Sequence, residues 1–337
     1  MYTRSLALLP LALTACVSTY ASKGPLAFED VRYTNPDGLA WPERRQSLPE
    51  LAKKHGMAEA PTVTYVDLNP SAEKTLVFIH GLGSYLKFWR YQLSHFAGLG
   101  YRVIAADMVG YGKSDKPADF PYTMPAMADA YAELLSARGV ETFTLVGHSM
   151  GGQTALSFAI ARPGQARGLV LVSPAGFEKF SRRDRLWFTK VFSTALVKSV
   201  DEEGLWSSIR YNNFSRWRSD YAWLVEERAR VRATSEFDAY AYANVRSVQG
   251  LLETDYTRDN LDRIRAVTLI AFGHEDRLIP NRFMHGGPTE AIMAYGAERI
   301  DGAQLEGFDG CGHTLQIDCA DAFNARLEAF LQEVLPL

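Results

Sequence analysis

The chain has 337 residues, of which 47% are hydrophobic, and its formal net charge at pH 7 is −3. A chain of this length and composition can bury a large core, either as one α/β domain or as two average domains. The small negative charge offers no electrostatic basis for binding nucleic acid, so we expect no nucleic-acid partner.

The N-terminus carries the pattern of an export signal. Arg4 precedes an apolar stretch over residues 6–13, which is too short to span a bilayer. Small residues stand directly before Cys16, and in this the segment resembles the signal of bacterial lipoproteins. The resemblance implies that residues 1–15 are removed and that acylated Cys16 anchors the chain to a membrane. A plain secretory signal with a coincidental cysteine stays open as the alternative.

The residue after that cysteine is Val17, where inner-membrane lipoproteins of Gram-negative bacteria carry an aspartate. The resemblance therefore implies a lipid-anchored protein of the bacterial cell envelope, at the outer membrane and facing the periplasm. Residues 16–61 are rich in Pro, Lys and Glu and predict a tether with an irregular lead-in to a sheet.

A continuous apolar run over residues 76–79 predicts a strand buried on both faces. The glycine-rich loop after this strand consists of His80, Gly81, Leu82 and Gly83. Backbone N–H groups in such a loop approach a ligand closely, and the amide of Leu82 is a candidate oxyanion donor. Residues 107–115, with their Gly-Tyr-Gly turn, predict a structural loop nearby.

Residues 142–162 are the most informative segment of the chain. A short apolar strand leads into a Gly-x-Ser-x-Gly turn centred on Ser149, and a helix-forming run follows. A tight strand-to-helix turn exposes the serine hydroxyl and leaves room only for glycine at Gly147 and Gly151. The amide of Met150, at the helix start, is the second candidate oxyanion donor.

The strand pattern stops between residues 177 and 259. Apolar side chains recur at near-helical spacing over residues 182–198, and aromatic residues follow among many arginines. This composition predicts a helical cap over the site, whose aromatic side chains would supply the apolar walls of a small-molecule pocket. The arginines and glutamates of the segment are expected to form mostly a solvated face.

Two further strands are predicted, a buried one over residues 267–273 and another over residues 304–308, and each precedes a polar segment. Asp276 follows the first strand and His313 follows the second. The competing carboxylates and imidazoles in these segments are Glu275, Asp309, His274 and His285. Helices are predicted over residues 126–138, 150–162 and 320–334.

The alternation of strands and helices favours a mostly parallel sheet that is covered on both faces. With these motifs in this order, residues 62–337 resemble the α/β-hydrolase family. The resemblance implies an α/β-hydrolase fold with an inserted helical cap. It also implies that Ser149 is the nucleophile, that His313 is the general base, and that Asp276 is the carboxylate that orients the imidazole.

Residues beside the nucleophile and in the glycine-rich loop are predicted to bind substrate, namely His80, Gly81, Gly83 and His148. The two histidines among them are expected to shape loops rather than to transfer protons.

A serine activated by histidine attacks a carbonyl carbon, so hydrolysis of a small apolar or aromatic carboxylic ester is the leading hypothesis. Carbon–carbon bond hydrolases of the resembled family also use serine, but they tend to carry Asn before it and Trp after the histidine. This chain has His148 and Thr314 at those places. An amidase or peptidase, and a non-catalytic binding protein, stay open as alternatives. No cofactor and no metal are predicted.

Apart from Cys16, the cysteines of the chain are Cys311 and Cys319, which bracket His313. In an oxidising periplasm the two can form a disulfide, which would stabilise the fold by about 2.5 kcal/mol in the chain-entropy model. Two free thiols stay open as the alternative. Zinc binding is disfavoured because the spacing fits no common structural site.

Overall fold

The computed structural model describes residues 20–282 and 284–334, and its centre is an eight-stranded sheet. In chain order the strands are β1 Glu43–Ser47, β2 Thr62–Leu68, β3 Thr75–Ile79, β4 Arg102–Ala106, β5 Phe143–His148, β6 Ala166–Val172, β7 Val267–Gly273 and β8 Gln304–Phe308. Their order across the sheet is β1-β2-β4-β3-β5-β6-β7-β8. Strand β2 is antiparallel to both neighbours, and the strands from β4 to β8 in this order are parallel.

Helices cover both faces of the sheet. In chain order they are α1 Pro49–His55, α2 Arg90–Gly98, α3 Met124–Ala137, α4 Met150–Ala161, α5 Arg182–Val191, α6 Thr194–Ser199, α7 Glu202–Asn213, α8 Trp223–Val231, α9 Glu236–Leu252, α10 Tyr256–Asp259, α11 Thr289–Ala297, α12 Leu315–Asp318 and α13 Ala320–Val334. Strands β3, β4 and β5 are buried along their whole length, as expected for parallel strands covered on both faces. The predicted fold class is confirmed.

The predicted strands and helices match the structure closely. The strands predicted over residues 267–273 and 304–308 have those bounds, and the helix predicted over residues 320–334 does as well. Strand β7 was predictable because it is an unbroken apolar run, and helix α13 because its apolar residues recur at helical spacing.

Residues 20–61 contain more regular structure than their sequence indicates. They supply β1 at the edge of the sheet and α1, and the side chain of Tyr33 is fully buried. Strand β1, which pairs with β2, escaped prediction because its side chains are mostly exposed and polar, so it lacks apolar alternation. Residues 1–15 and Cys16 lie outside the described residues.

Helices α5 to α9 stand between β6 and β7 and form the cap. The stretch over residues 182–198 is two helices, because Phe192 leaves helical geometry (φ −80°, ψ 94°) and Ser193 caps α6 by accepting from the amide of Leu196. In the two described ranges, no helix combines the length and the apolar character that crossing a membrane requires.

Candidate active site

Ser149 lies between β5 and α4 in a strained turn, with φ 54° and ψ −117°. Positive φ is unfavourable for a residue with a Cβ, and the surrounding structure must hold it in place. The neighbouring glycines make the turn possible. A Cβ at Gly147 would lie 2.4 Å from the carbonyl oxygen of Gly151, and one at Gly151 would lie 2.2 Å from that of Ile79. The Gly-x-Ser-x-Gly pattern is therefore a steric requirement of this turn.

Asp276 and His313 meet at the carboxyl ends of β7 and β8. Oδ2 of Asp276 lies 2.8 Å from Nδ1 of His313, and both side chains are buried. The other carboxylate oxygen, Oδ1, accepts hydrogen bonds from the amides of Leu278 (2.8 Å) and Ile279 (3.0 Å). Because Oδ1 is held by two backbone donors, Oδ2 has a fixed direction, and it can hold the imidazole with Nδ1 protonated and Nε2 free to accept a proton.

The histidines that competed with His313 in the sequence lie in other contacts. His274 lies 3.8 Å from Asp309, and His285 lies 2.8 Å from Glu178. Glu275, the neighbour of Asp276, makes no hydrogen bond to His313. Among the candidates named from the sequence, the carboxylate–imidazole contact therefore joins Asp276 and His313.

Ser149 and His313 line one cavity of about 270 Å³, together with Leu82 and His148. Its remaining wall is mostly apolar and comes largely from the cap, including Phe188, Ile209, Phe214, Leu224 and Val248. Such a cavity suits the apolar part of a small substrate. His80, Gly81 and Gly83, also predicted to bind substrate, are not part of the cavity wall.

The amides of Leu82 and Met150 are available as donors beside Ser149. Met150 is the first residue of α4, where backbone N–H groups have no partner within the helix. In the described part of the chain, neither amide donates to a protein acceptor. A pair of unpaired amides beside a serine can stabilise an oxyanion, and the positive end of the α4 dipole adds to that effect.

His80 connects two loops rather than facing the cavity. Its Nδ1–H donates to the carbonyl of Gly81 (2.8 Å), and its Nε2 accepts from the amide of Met108 (2.9 Å). Burial lowers the pKa of His80 to about 4, so the ring is neutral at pH 7. His80 thereby holds the loop that carries Leu82 against the loop after β4.

His148 lies directly beside the imidazole of His313, with ring centroids 4.8 Å apart. Its Nε2–H donates to the carbonyl oxygen of His313 (3.0 Å). Burial lowers the pKa of His148 well below its usual range, and the nearby His313 lowers it further. A neutral His148 can therefore position the backbone of His313 without repelling an imidazolium formed there.

The cap holds the loop that carries Leu82. Both Arg228 of α8 and Tyr240 of α9 donate to the carbonyl of Gly83, the tyrosine hydroxyl at 3.1 Å. A side chain at Gly83 would also crowd Asn244, whose Nδ2 would lie 3.2 Å from the new Cβ. Gly83 therefore contacts cap residues, an arrangement that the sequence did not reveal because many arginines and aromatic residues fill the cap.

The loop that carries His313 is held from three sides. A disulfide joins Cys311 to Cys319, whose Cα atoms are 5.9 Å apart. The carboxylate of Asp318 accepts from the amide of Gly312 (2.8 Å) and from that of Ser215 in the cap (2.7 Å). These contacts leave the imidazole little freedom to move away from the cavity.

Several polar side chains of the cavity were not found from the sequence, among them Glu178 and Arg228. Glu178 lines the cavity and accepts from the amide of Asn281 (2.8 Å), and burial raises the pKa of this carboxyl group. Arg228 also lines the cavity, and it is the cap residue that donates to the carbonyl of Gly83. Within residues 20–282 and 284–334, no group of three His, Cys, Asp or Glu side chains is arranged to hold a metal ion.

A family model described as alpha/beta hydrolase fold matches residues 74–320. The chain belongs to the α/β-hydrolase family. The 2-hydroxymuconate semialdehyde hydrolase of Pseudomonas sp. strain CF600 is 30% identical to this hydrolase over 266 residues, which are 77% of this chain and 87% of that protein. A protein of Caulobacter sp. strain K31, whose name places it among carbamate hydrolases (RutD), is 28% identical over 265 residues, 77% of this chain and 91% of its own.

The crystal structure of an enzyme from Pseudomonas aeruginosa PAO1, described as hydrolytic, has a similar fold. Its TM-score is 0.74 at 24% sequence identity, and the match covers 91% of this chain and 99% of that chain. At this identity the similarity establishes the shared fold.

Replacement Asp276→Asn should lower kcat for any substrate of Ser149 by about 10³–10⁴-fold, because the amide would favour the wrong tautomer of His313. The matched control is Glu275→Gln, which changes the adjacent carboxylate and should stay within a few-fold of the unmodified enzyme. Steady-state kinetics on folded variants, checked by circular dichroism, measure both. Equal losses in the two variants would show that Asp276 has no special role.

Replacement His80→Gln should flatten the pH dependence of stability between pH 6.5 and 4. In the unfolded chain His80 binds a proton near pH 6.5, whereas its folded-state pKa is about 4. Stability is therefore lost as pH falls through this window, by about 3 kcal/mol in total. Urea unfolding at several pH values, for both chains, gives the difference. Parallel curves would mean that His80 titrates normally in the fold.

Proposed function

We propose that this α/β-hydrolase cleaves carboxylic esters through an acyl-enzyme formed on Ser149. The observation that carries the proposal is the buried hydrogen bond from His313 to Asp276, next to a cavity that His313 shares with Ser149. The largely apolar wall favours an uncharged, apolar or aromatic acyl or alcohol group.

In the proposed reaction, Nε2 of His313 takes the proton of the Ser149 hydroxyl as its oxygen bonds to the carbonyl carbon. The carbonyl oxygen becomes an oxyanion, which the amides of Leu82 and Met150 stabilise. Collapse breaks the bond to the alcohol, which leaves with the proton from His313. A water molecule, deprotonated by His313, then releases the carboxylic acid and restores Ser149.

Hydrolysis of a carbon–carbon bond is the second candidate. It is favoured by the 30% identity to a 2-hydroxymuconate semialdehyde hydrolase. Against it stand His148 and Thr314, at the places where hydrolases of that class tend to carry Asn and Trp. Thr314 instead donates its hydroxyl to the carbonyl of Asn213 in the cap (2.7 Å). The ester hypothesis therefore remains the leading one. Carbamates are a third substrate class to test, because one relative is named as a carbamate hydrolase.

Replacement Ser149→Ala should abolish hydrolysis of 4-nitrophenyl esters of graded acyl length, with at least a 10³-fold loss, because no nucleophile remains. A fluorophosphonate probe should label the unmodified chain at Ser149 and leave the variant unlabelled. Turnover or labelling that survives in the folded variant would contradict the assignment. Labelling without ester turnover, together with cleavage of a vinylogous diketone acid or a carbamate, would replace the ester hypothesis.

We also propose that acylated Cys16 anchors the enzyme in the bacterial cell envelope, at the outer membrane and facing the periplasm. The small residues before Cys16 support the lipid anchor. The residue after it is Val17 and not the aspartate of inner-membrane lipoproteins, which supports the outer membrane. Replacement Cys16→Ser should stop labelling by a clickable palmitate analogue in a Gram-negative host and move the protein out of the outer-membrane fraction. Labelling that persists in the variant would contradict the proposal.

A further inference from the structure

Helices α5 and α6, the first two of the cap, bury none of their residues. Ten large hydrophobic side chains are exposed in the described chain. Four of them lie in these two helices, in a stretch of eleven residues. They are Leu186 (53% exposed), Trp187 (44%), Val191 (41%) and Leu196 (42%). Single exposed apolar side chains are ordinary, but a cluster of this kind is typical of an interaction surface.

The same surface is cationic. At 100° per residue, the outward side of α5 combines apolar and basic side chains. The residues on that side are Arg182, Arg183, Leu186, Trp187, Lys190 and Val191. In the described chain no carboxylate pairs with Arg182, Arg183 or Lys190. Asp184 is the acidic residue of α5. Its carboxylate lies at the helix start, where it accepts a hydrogen bond from the amide of Ser181 (2.7 Å).

We propose that the outward face of α5 and α6, called the α5–α6 face here, docks on a lipid bilayer that contains anionic phospholipid. Apolar side chains enter the boundary of the acyl chains while arginine and lysine contact the headgroups, as in interfacial amphipathic helices. A second copy of the chain fits less well, because a two-fold contact would bring like charges together.

The position of the α5–α6 face gives docking a purpose. Phe188, on the opposite side of α5, lines the cavity that contains Ser149, and Phe180 just before the helix does so too. Helix α5 therefore separates the cavity from the proposed bilayer. An enzyme docked in this way would have its cavity one helix away from apolar esters in the membrane.

The start of the described chain lies on the same cap. The amide of Tyr20 donates to Glu202 at the beginning of α7 (2.8 Å), and Lys23 pairs with Glu226 of α8 (2.7 Å). Cys16 is four positions earlier in the chain, and a segment of four residues spans at most about 14 Å. This part of the argument rests on the proposed anchor, whereas the composition of the α5–α6 face does not.

Vesicle binding tests the proposal in full-length chains that carry Cys16→Ser, so that no attached lipid contributes. The apolar variant adds Leu186→Ser and Val191→Ser, and the charge variant adds Arg183→Glu and Lys190→Glu. The matched controls add Leu39→Ser with Leu305→Ser, and Arg44→Glu with Lys53→Glu, exposed side chains outside the cap. Co-sedimentation with phosphatidylglycerol–phosphatidylethanolamine vesicles should fall at least tenfold in both face variants and less than twofold in the controls.

Brominated lipids supply a second readout. They should quench tryptophan emission in the parent chain, and Trp187→Phe should remove most of that quenching. Equal binding by face variants and controls, or quenching that survives Trp187→Phe, would overturn the proposal. A different result would also overturn it: the parent chain forms a dimer in sedimentation equilibrium, the face variants do not, and no chain binds vesicles.

Ester hydrolysis is measured on the same proteins with a water-soluble ester. It should be unchanged in the face variants, since none of the altered residues belongs to the catalytic site. Loss of vesicle binding with intact hydrolysis separates docking from catalysis. If no protein hydrolyses the ester but vesicle binding still depends on the face, the proposed function fails and the docking surface stands.

Discussion

The hydrogen bond between Asp276 and His313 is the contact on which the rest of the site depends. It joins the loops that follow β7 and β8, and both side chains are buried. An imidazole held in one tautomer can accept the proton of a serine hydroxyl, which is the role proposed for His313 toward Ser149. The amides at Leu278 and Ile279 and the disulfide at Cys311 restrain the two loops that bring the pair together.

Both the sheet and the cap contribute residues to the site. The sheet places Ser149 and the loop of Leu82 at adjacent strand ends, because β3 and β5 are neighbours. The cap then supplies most of the apolar wall and reaches down to both loops. It contacts the loop of His313 through Ser215 and the glycine-rich loop through Tyr240. The cavity wall and the loops around Ser149 and His313 are therefore linked by direct contacts between the cap and the sheet domain.

Much of this arrangement was predictable from the sequence, for identifiable reasons. Fully buried parallel strands leave continuous apolar runs, and the turn at Ser149 excludes side chains at its glycines. Edge strand β1 was missed because exposed polar residues produce no alternation. The pairing of Glu178 with His285 and the contacts of Gly83 were missed as well, since such meetings depend on how the cap is packed and leave no local pattern.

The two hydrogen bonds that the cap donates to the carbonyl of Gly83 have a consequence for turnover. Gly83 adjoins Leu82, a proposed donor to the transition state. If α8 and α9 swing outward to admit a ligand, the support of that donor is lost at the same moment. With the cap open, a ligand could enter but the amide of Leu82 would no longer be held in position. The enzyme would then become active only after α8 and α9 had closed again.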